Sequence, residues 1–225
     1  MALDVDAWMD DLTEKLRREF AGRLLFVGVQ GSRRRNEASD NSDIDAVVVL
    51  DTLDADDLRR YRGILQTMAQ ADLACGFVGD AAALANWPRH ELFQFRRDTR
   101  DIHGNLDDLL PAISRDDVAA GVRIGASGIY HLAGHLCVHG GDDAAEALLG
   151  AYKGAFFVLL AVHFLETGHY AGTRRELLAL LSGANRTILD TLVRWDELKS
   201  ERDASPDRFF SRILEWSGNL LAYCG

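Results

Sequence analysis

Cysteine is scarce in this chain: Cys75, Cys137 and Cys224 are the three among 225 residues. An odd number at wide spacing, with no Cys-x-x-Cys pair, argues against a disulfide framework and a zinc knuckle and fits a reducing cytoplasm. Positive charge is in deficit, since 25 Lys and Arg face 35 Asp and Glu for a formal net charge of −10. That is the wrong sign for a protein whose affinity would come from neutralising a nucleic-acid backbone. It suits a small cationic substrate or a protein partner better. No unbroken apolar run reaches membrane-spanning length; the longest, residues 154–165, is short and contains His163. The opening Met-Ala-Leu-Asp-Val-Asp lacks the basic start and apolar core of a signal peptide. Internal repeats and low-complexity segments are absent too. What is there is 48% hydrophobic residues, enough for a substantial core in one large or two small domains.

The most informative stretch runs from Val29 to Asp45. Residues 24–29 read as a central strand, and Gly31-Ser32 follow as a turn that begins a short helix through Arg33, Arg34 and Arg35. Asp43 and Asp45 bracket Ile44 and open the apolar run Ala46 to Leu50, a buried strand. Side chains at i and i+2 of a strand share a face, so both carboxylates aim one way while Ile44 aims into the core. Two adjacent anions repel unless a cation lies between them, and a hard cation with oxygen ligands, Mg²⁺ above all, is the natural occupant. Glycine admits a ligand close to the backbone, helix-start N–H groups bind phosphate, and the Ser32 hydroxyl adds a donor. A phosphate cradle beside a carboxylate pair suggests metal-assisted phosphoryl or nucleotidyl transfer, with two metals clamping the attacking and leaving oxygens.

Gly31-Ser32, ten intervening residues and Asp43-Ile44-Asp45 together resemble the signature of the DNA polymerase beta-type nucleotidyltransferase superfamily. The resemblance is to its small bacterial members, aminoglycoside or kanamycin nucleotidyltransferases among them. Their fuller signature, Gly-Ser-x-Ala-Arg-Gly ending in Ser-Asp-Ile-Asp, is matched at Gly31, Ser32, Arg35, Ala38, Ser42, Asp43, Ile44 and Asp45. Arg34 replaces its alanine and Asn36 its glycine; the second change matters little, because Asn enters left-handed conformations more readily than other non-glycine residues. The likeness is tight over about residues 22–80 and looser beyond. It implies that Asp43 and Asp45 hold Mg²⁺ ions bridging ATP or another NTP. Gly31 and Ser32, helped by Arg35 and Ser42, would cradle the departing pyrophosphate. The superfamily's third carboxylate usually lies on a later strand. Asp72, read as opening a strand over residues 71–78, is the first choice as metal ligand or general base. Glu91 and Asp98 are rivals. Glu146 and Glu166 are the candidates if a helical domain supplies the base, as in related antibiotic-modifying enzymes.

The rest of the chain divides in two. Trp8, Leu12, Leu16 and Phe20 repeat at helical spacing; Asp54 caps a helix expected to reach about Gln70; a short helix near residues 80–85 is broken at Trp87-Pro88. Residues 92–103 read as a strand or extended loop. From Ser114 onward only helices are expected. Ser114 with Asp117 and Thr173 with Glu176 resemble capping boxes, Gly140-Gly141-Asp142 makes a turn before a long helix from about Asp143 to Thr167, and Ser205-Pro206 starts a last one. The expected fold class is α+β: a nucleotidyltransferase core of mixed sheet and flanking helices over residues 1–110, then an all-helical, acceptor-binding bundle over 111–225.

Lys153 is the only charge between Glu146 and Glu166. A lone buried ammonium is costly, so it either snorkels to water or points to an anion, for which a nucleotide triphosphate is an economical partner. His131, His135 and His139 share one helix face. No catalytic Glu follows the first, and packing against Tyr130 or a domain interface is favoured over zinc. Arg33 and Arg34 are read as solvated surface, and the four tryptophans as packing rather than a base-stacking platform. The function expected is transfer of a nucleoside monophosphate, AMP from ATP foremost, to a hydroxyl of a small acceptor such as an aminoglycoside, bound between core and bundle. Modification of a partner toxin and a catalytically inactive nucleotide-binding module are the alternatives. Neither nucleic acid nor membrane is expected as a partner, and a homodimer is left open.

Overall fold

The computed structural model describes residues 3–141 and 144–223; Asp142, Asp143 and Cys224 lie outside the described residues. The chain forms two compact units, Met1–Ala112 and Ile113–Gly225.

In the first unit, Trp8, Met9, Leu12, Leu16 and Phe20 recur at three- and four-residue spacing and are buried, giving helix α1 (Val5–Phe20) one apolar face. The Asp4 side chain starts the helix, accepting the Ala7 N–H at 3.1 Å. Four strands follow: β1 (Leu24–Gln30), β2 (Ile44–Leu50), β3 (Ala74–Asp80) and β4 (Arg100–His103). They lie in the order β3-β2-β1-β4. β1 runs antiparallel to β2 and β4, while β2 and β3 are parallel. Val27 and Val29 of β1 and Ile44, Ala46, Val48 and Leu50 of β2 join the apolar face of α1 in one core. Leu12 is fully buried there. Leu12→Ala should cost about 3 kcal/mol, lowering the melting temperature by about 6–12 °C, which a thermal unfolding curve measures.

Helix α2 (Gly31–Arg34) connects β1 to the loop before β2, and α3 (Ala55–Leu65) connects β2 to β3. α3 opens with a capping box between Asp54 and Asp57 and ends earlier than its sequence suggests. The Ala69 carbonyl accepts the Trp8 indole N–H at 2.7 Å, and Met68 is buried in the α1 core. Tertiary contacts therefore claim groups that a longer helix would have used. A 3₁₀ turn, Ala71–Leu73, precedes β3, so Asp72 stands in that turn and not on the strand. After α4 (Ala81–Asn86), residues 89–97 form a helix, α5 (Arg89–Arg97), where an extended segment was expected. Pro88 is its N-cap, a place where a missing N–H costs nothing. Leu92 and Phe93 supply its buried face.

The second unit is all helical: α6 (Arg115–His139), α7 (Ala144–Thr167), α8 (Arg174–Leu180), α9 (Gly183–Val193), α10 (Lys199–Ala204) and α11 (Pro206–Tyr223). Ser114 and Asp117 form the expected capping box. Thr173 makes half of one, because the Glu176 carboxylate turns to the Gly172 N–H at 2.7 Å. Tyr152 of α7 donates its hydroxyl to the Phe209 carbonyl of α11 at 3.0 Å. Residues Glu146–Thr167 of α7, with mean hydropathy 1.8, are long and apolar enough to cross a membrane, which a search for unbroken apolar runs overlooks. In this fold 61% of that window is buried inside the protein, as in a core helix. His131, His135 and His139 are exposed on α6, their rings tilted to one another with centroids 6.3 and 5.0 Å apart.

Candidate active site

β1 ends at Gln30, and Gly31 turns the chain into α2 with φ +72°, a left-handed conformation that glycine adopts freely. A Cβ at Gly31 would lie 2.0 Å from Oδ2 of Asp45. The turn is therefore pressed against the carboxylate. Asn36 leaves the short helix with φ +56°, a backbone shape Asn tolerates. The Ser32 hydroxyl makes no hydrogen bond among the described residues. Ser42 is tied into its loop, its Oγ accepting the Ser39 N–H at 2.9 Å.

Ile44 is fully buried on the α1 side of the sheet, which puts Asp45 on the opposite face. Asp45 is half-buried, and Asp43, one residue before β2, is exposed. Across the sheet Asp45 sits beside Gln30 and Cys75. At Gly76, with φ +119°, a Cβ would stand 2.1 Å from the Ala46 carbonyl oxygen, so only glycine lets β3 close on β2 beside the site. Burial pushes the Asp45 carboxyl above the usual carboxylate range. The charges of Asp43 and Asp98 push it the same way, and Arg35 and Arg33 oppose them. Two repelling carboxylates whose oxygens are hard donors fit a divalent ion such as Mg²⁺, and one between Asp43 and Asp45 would relieve that strain.

The remaining candidates fall in different places. Among the described residues no three His, Cys, Asp or Glu side chains gather closely enough to hold a metal ion. Asp72, exposed in its 3₁₀ turn, thus does not complete a three-ligand set with Asp43 and Asp45. Asp98, at the C-terminal end of α5, lies near enough to Asp45 for its charge to push that carboxyl up. Its Oδ2 accepts the Gly31 N–H at 3.3 Å and Nη1 of Arg35 at 2.5 Å. Arg35 is buried; burial would lower its pKa, yet the hydrogen bond and charge of Asp98 and the charge of Glu37 raise it on balance. Glu91 is exposed and accepts the Trp87 indole N–H at 2.7 Å. Glu146 and Glu166 are both exposed on α7, as is Lys153, which has no hydrogen-bonding or ionic partner among the described residues.

Two site contributors escape a reading of the sequence. Arg33 is no solvated surface group: its Nε donates to the Ser42 and Asp43 carbonyls at 3.1 Å each, bracing the backbone that carries the carboxylates. Gln30 donates its side-chain amide to the Phe95 carbonyl at 3.1 Å and to the Thr99 hydroxyl at 2.7 Å. Nothing in the sequence signals the second, because its partners, a backbone carbonyl and the Thr99 hydroxyl, lie 65 and 69 positions away.

A mixed sheet with a Gly-Ser turn after one strand and Asp-x-Asp at the start of the next, followed by a helical unit, has the α+β fold of nucleotidyltransferases. The particular likeness is to the crystal structure of spectinomycin adenyltransferase AAD(9) from Enterococcus faecialis with ATP and spectinomycin. It extends over 92% of this chain and 98% of that one, with a TM-score of 0.55 and 16% identity. A toxin–antitoxin structure with AMP-PNP aligns over 60% of this chain and 95% of its own at 19% identity, but its TM-score of 0.33 is too low to indicate a shared fold. No protein-family model matches the chain, and no curated protein matches it.

Proposed function

We propose that this protein is a Mg²⁺-dependent nucleotidyltransferase that moves AMP from ATP to a hydroxyl of a small, cationic, aminoglycoside-like acceptor. The observation that carries the reading is the contact between the Gly31 turn and Asp45, which puts a phosphate cradle against a carboxylate that repels its neighbour Asp43. Support for ATP and for a small acceptor comes from the adenyltransferase whose fold this chain shares. A net charge of −10 favours a cationic acceptor.

Asp43 and Asp45 would hold the metal, which when bound supplies positive charge to the α- and β-phosphates. Ser32 offers its unengaged hydroxyl to a phosphate oxygen. Arg33 keeps the Asp43 backbone in place. The acceptor oxygen forms a bond to the α-phosphorus as the bond to the α,β-bridging oxygen breaks, so pyrophosphate leaves and the acceptor hydroxyl's proton passes to solvent. Lys153 is exposed on α7 with no hydrogen-bonding or ionic partner among the described residues, and the helical unit is the proposed acceptor-binding domain.

Labelled ATP, Mg²⁺ and a panel of aminoglycosides and aminocyclitols test this directly. Pyrophosphate release that depends on one of them, with label on that acceptor, is the expected result. Label appearing on a protein would favour a toxin-modifying enzyme. No release with any acceptor would leave a nucleotide-binding module and overturn the reading.

A further inference from the structure

We propose that Asp98 is a positioning residue, which holds the Gly31 turn and Arg35 in the shape that receives phosphate without binding metal or taking a proton itself. The inference rests on the nucleotidyltransferase reading and assigns roles within that site. Asp98 is 9% exposed and caps the C-terminal end of α5, its own N–H donating to the Gln94 carbonyl at 2.8 Å. One oxygen, Oδ2, accepts from both Gly31 and Arg35. A carboxylate oxygen offers two lone pairs, so the oxygen facing the turn is fully used by these two donors. One residue upstream, Gln30 is tied to the same end of α5 through Phe95 and Thr99. The last turn of α5 therefore grips Gln30, Gly31 and Arg35 together. Glycine adopts the left-handed turn without strain, so this grip is what fixes where the turn stands against Asp45.

Two consequences follow for the nucleotide. The Gly31 N–H is spoken for by Asp98, so Ser32, not Gly31, is the phosphate donor of the pair. Arg35, whose side chain is 6% exposed and also meets Glu37 at 3.2 Å, neutralises Asp98 and acts on phosphate only through the turn it steadies.

The two roles open to Asp98 predict opposite outcomes for Asp98→Asn. The amide oxygen still accepts hydrogen bonds from Gly31 and Arg35, but it cannot take a proton and replaces a carboxylate poorly at Mg²⁺. If Asp98 positions, D98N should keep kcat within about tenfold of wild type, the loss expected from weakening charge-assisted hydrogen bonds to neutral ones. Its half-saturating Mg²⁺ concentration should not move. D98A, which frees the turn, should raise KM for ATP at least tenfold and lower kcat about a hundredfold, as small displacements of reacting groups do. A D98N enzyme as inactive as D45N, one with a raised Mg²⁺ requirement, or a D98A enzyme with wild-type constants would each overturn the proposal. Should D98A not fold, D98N alone decides. Binding of a nonhydrolysable ATP analogue to the same proteins keeps this test apart from the reading it rests on. If wild type turns over no acceptor, a tenfold or greater loss of analogue affinity in D98A but not in D98N still supports the grip, and equal affinities in all three overturn it.

Discussion

Asp45→Asn is expected to abolish nucleotidyl transfer and, in the same stroke, to raise the melting temperature of the metal-free protein. The first effect follows from removing half of a carboxylate pair proposed to hold the metal, and a fall of at least about a thousandfold in turnover is the scale for losing such charge stabilisation. The second follows from the raised pKa of Asp45, to which burial contributes most and Asp43 and Asp98 add. The folded protein binds the Asp45 proton more tightly than the unfolded chain does. Its contribution to stability is therefore complete below the unfolded carboxylate value, about 3.9, and is lost as pH rises through the higher folded value. At neutral pH the ionised side chain works against the fold, and an amide does not. The variant should therefore melt above wild type at neutral pH. Scanning calorimetry of both proteins without metal, at pH 7 and again near pH 4, checks it: the gap should narrow in acid. A variant that melts lower than wild type and still releases pyrophosphate would contradict the metal-ligand role.

Gly31→Ala should be nearly as damaging, for a reason of space. The new methyl would stand 2.0 Å from Asp45 Oδ2, well inside contact, at a φ of +72° that costs an L-residue about 1–2 kcal/mol before any clash. Either Asp45 swings away or the turn opens and its hydrogen bond to Asp98 goes. Both displace the carboxylate relative to Ser32, and a loss of at least about a hundredfold in kcat/KM is expected. The melting temperature should drop as well, by at least about 2–8 °C from the backbone term alone. Steady-state kinetics and an unfolding curve suffice. Wild-type turnover in this variant would show that the turn and the carboxylate do not touch in solution.

Much of this site is legible in the chain because it is local. Strand alternation alone separates Asp45 from Ile44, since one residue along a strand reverses the side chain. The left-handed Asn36 follows from its residue type, and the Ser114 box from a four-residue pattern. What could not be read depends on contacts distant in sequence. Arg35 reads as a phosphate ligand, and its hydrogen bond to Asp98, 63 positions away, does not show in the sequence. Asp72 looks like a strand residue, but a 3₁₀ turn after the Trp8-bonded Ala69 carries it and the strand starts at Ala74. Pro88 is ambiguous in principle, because the same ring ends one helix and begins another. Reading it only as a breaker hid α5, and with it the place of Asp98.

β3 is an edge strand, and its exposed Cys75 lies directly across from Asp45. The molecule thereby carries a native attachment point for a spectroscopic label about 4.8 Å of strand spacing from the aspartate's backbone. With Cys137 and Cys224 replaced by serine, a fluorophore on Cys75 would sense binding beside Asp45 in real time without an engineered cysteine.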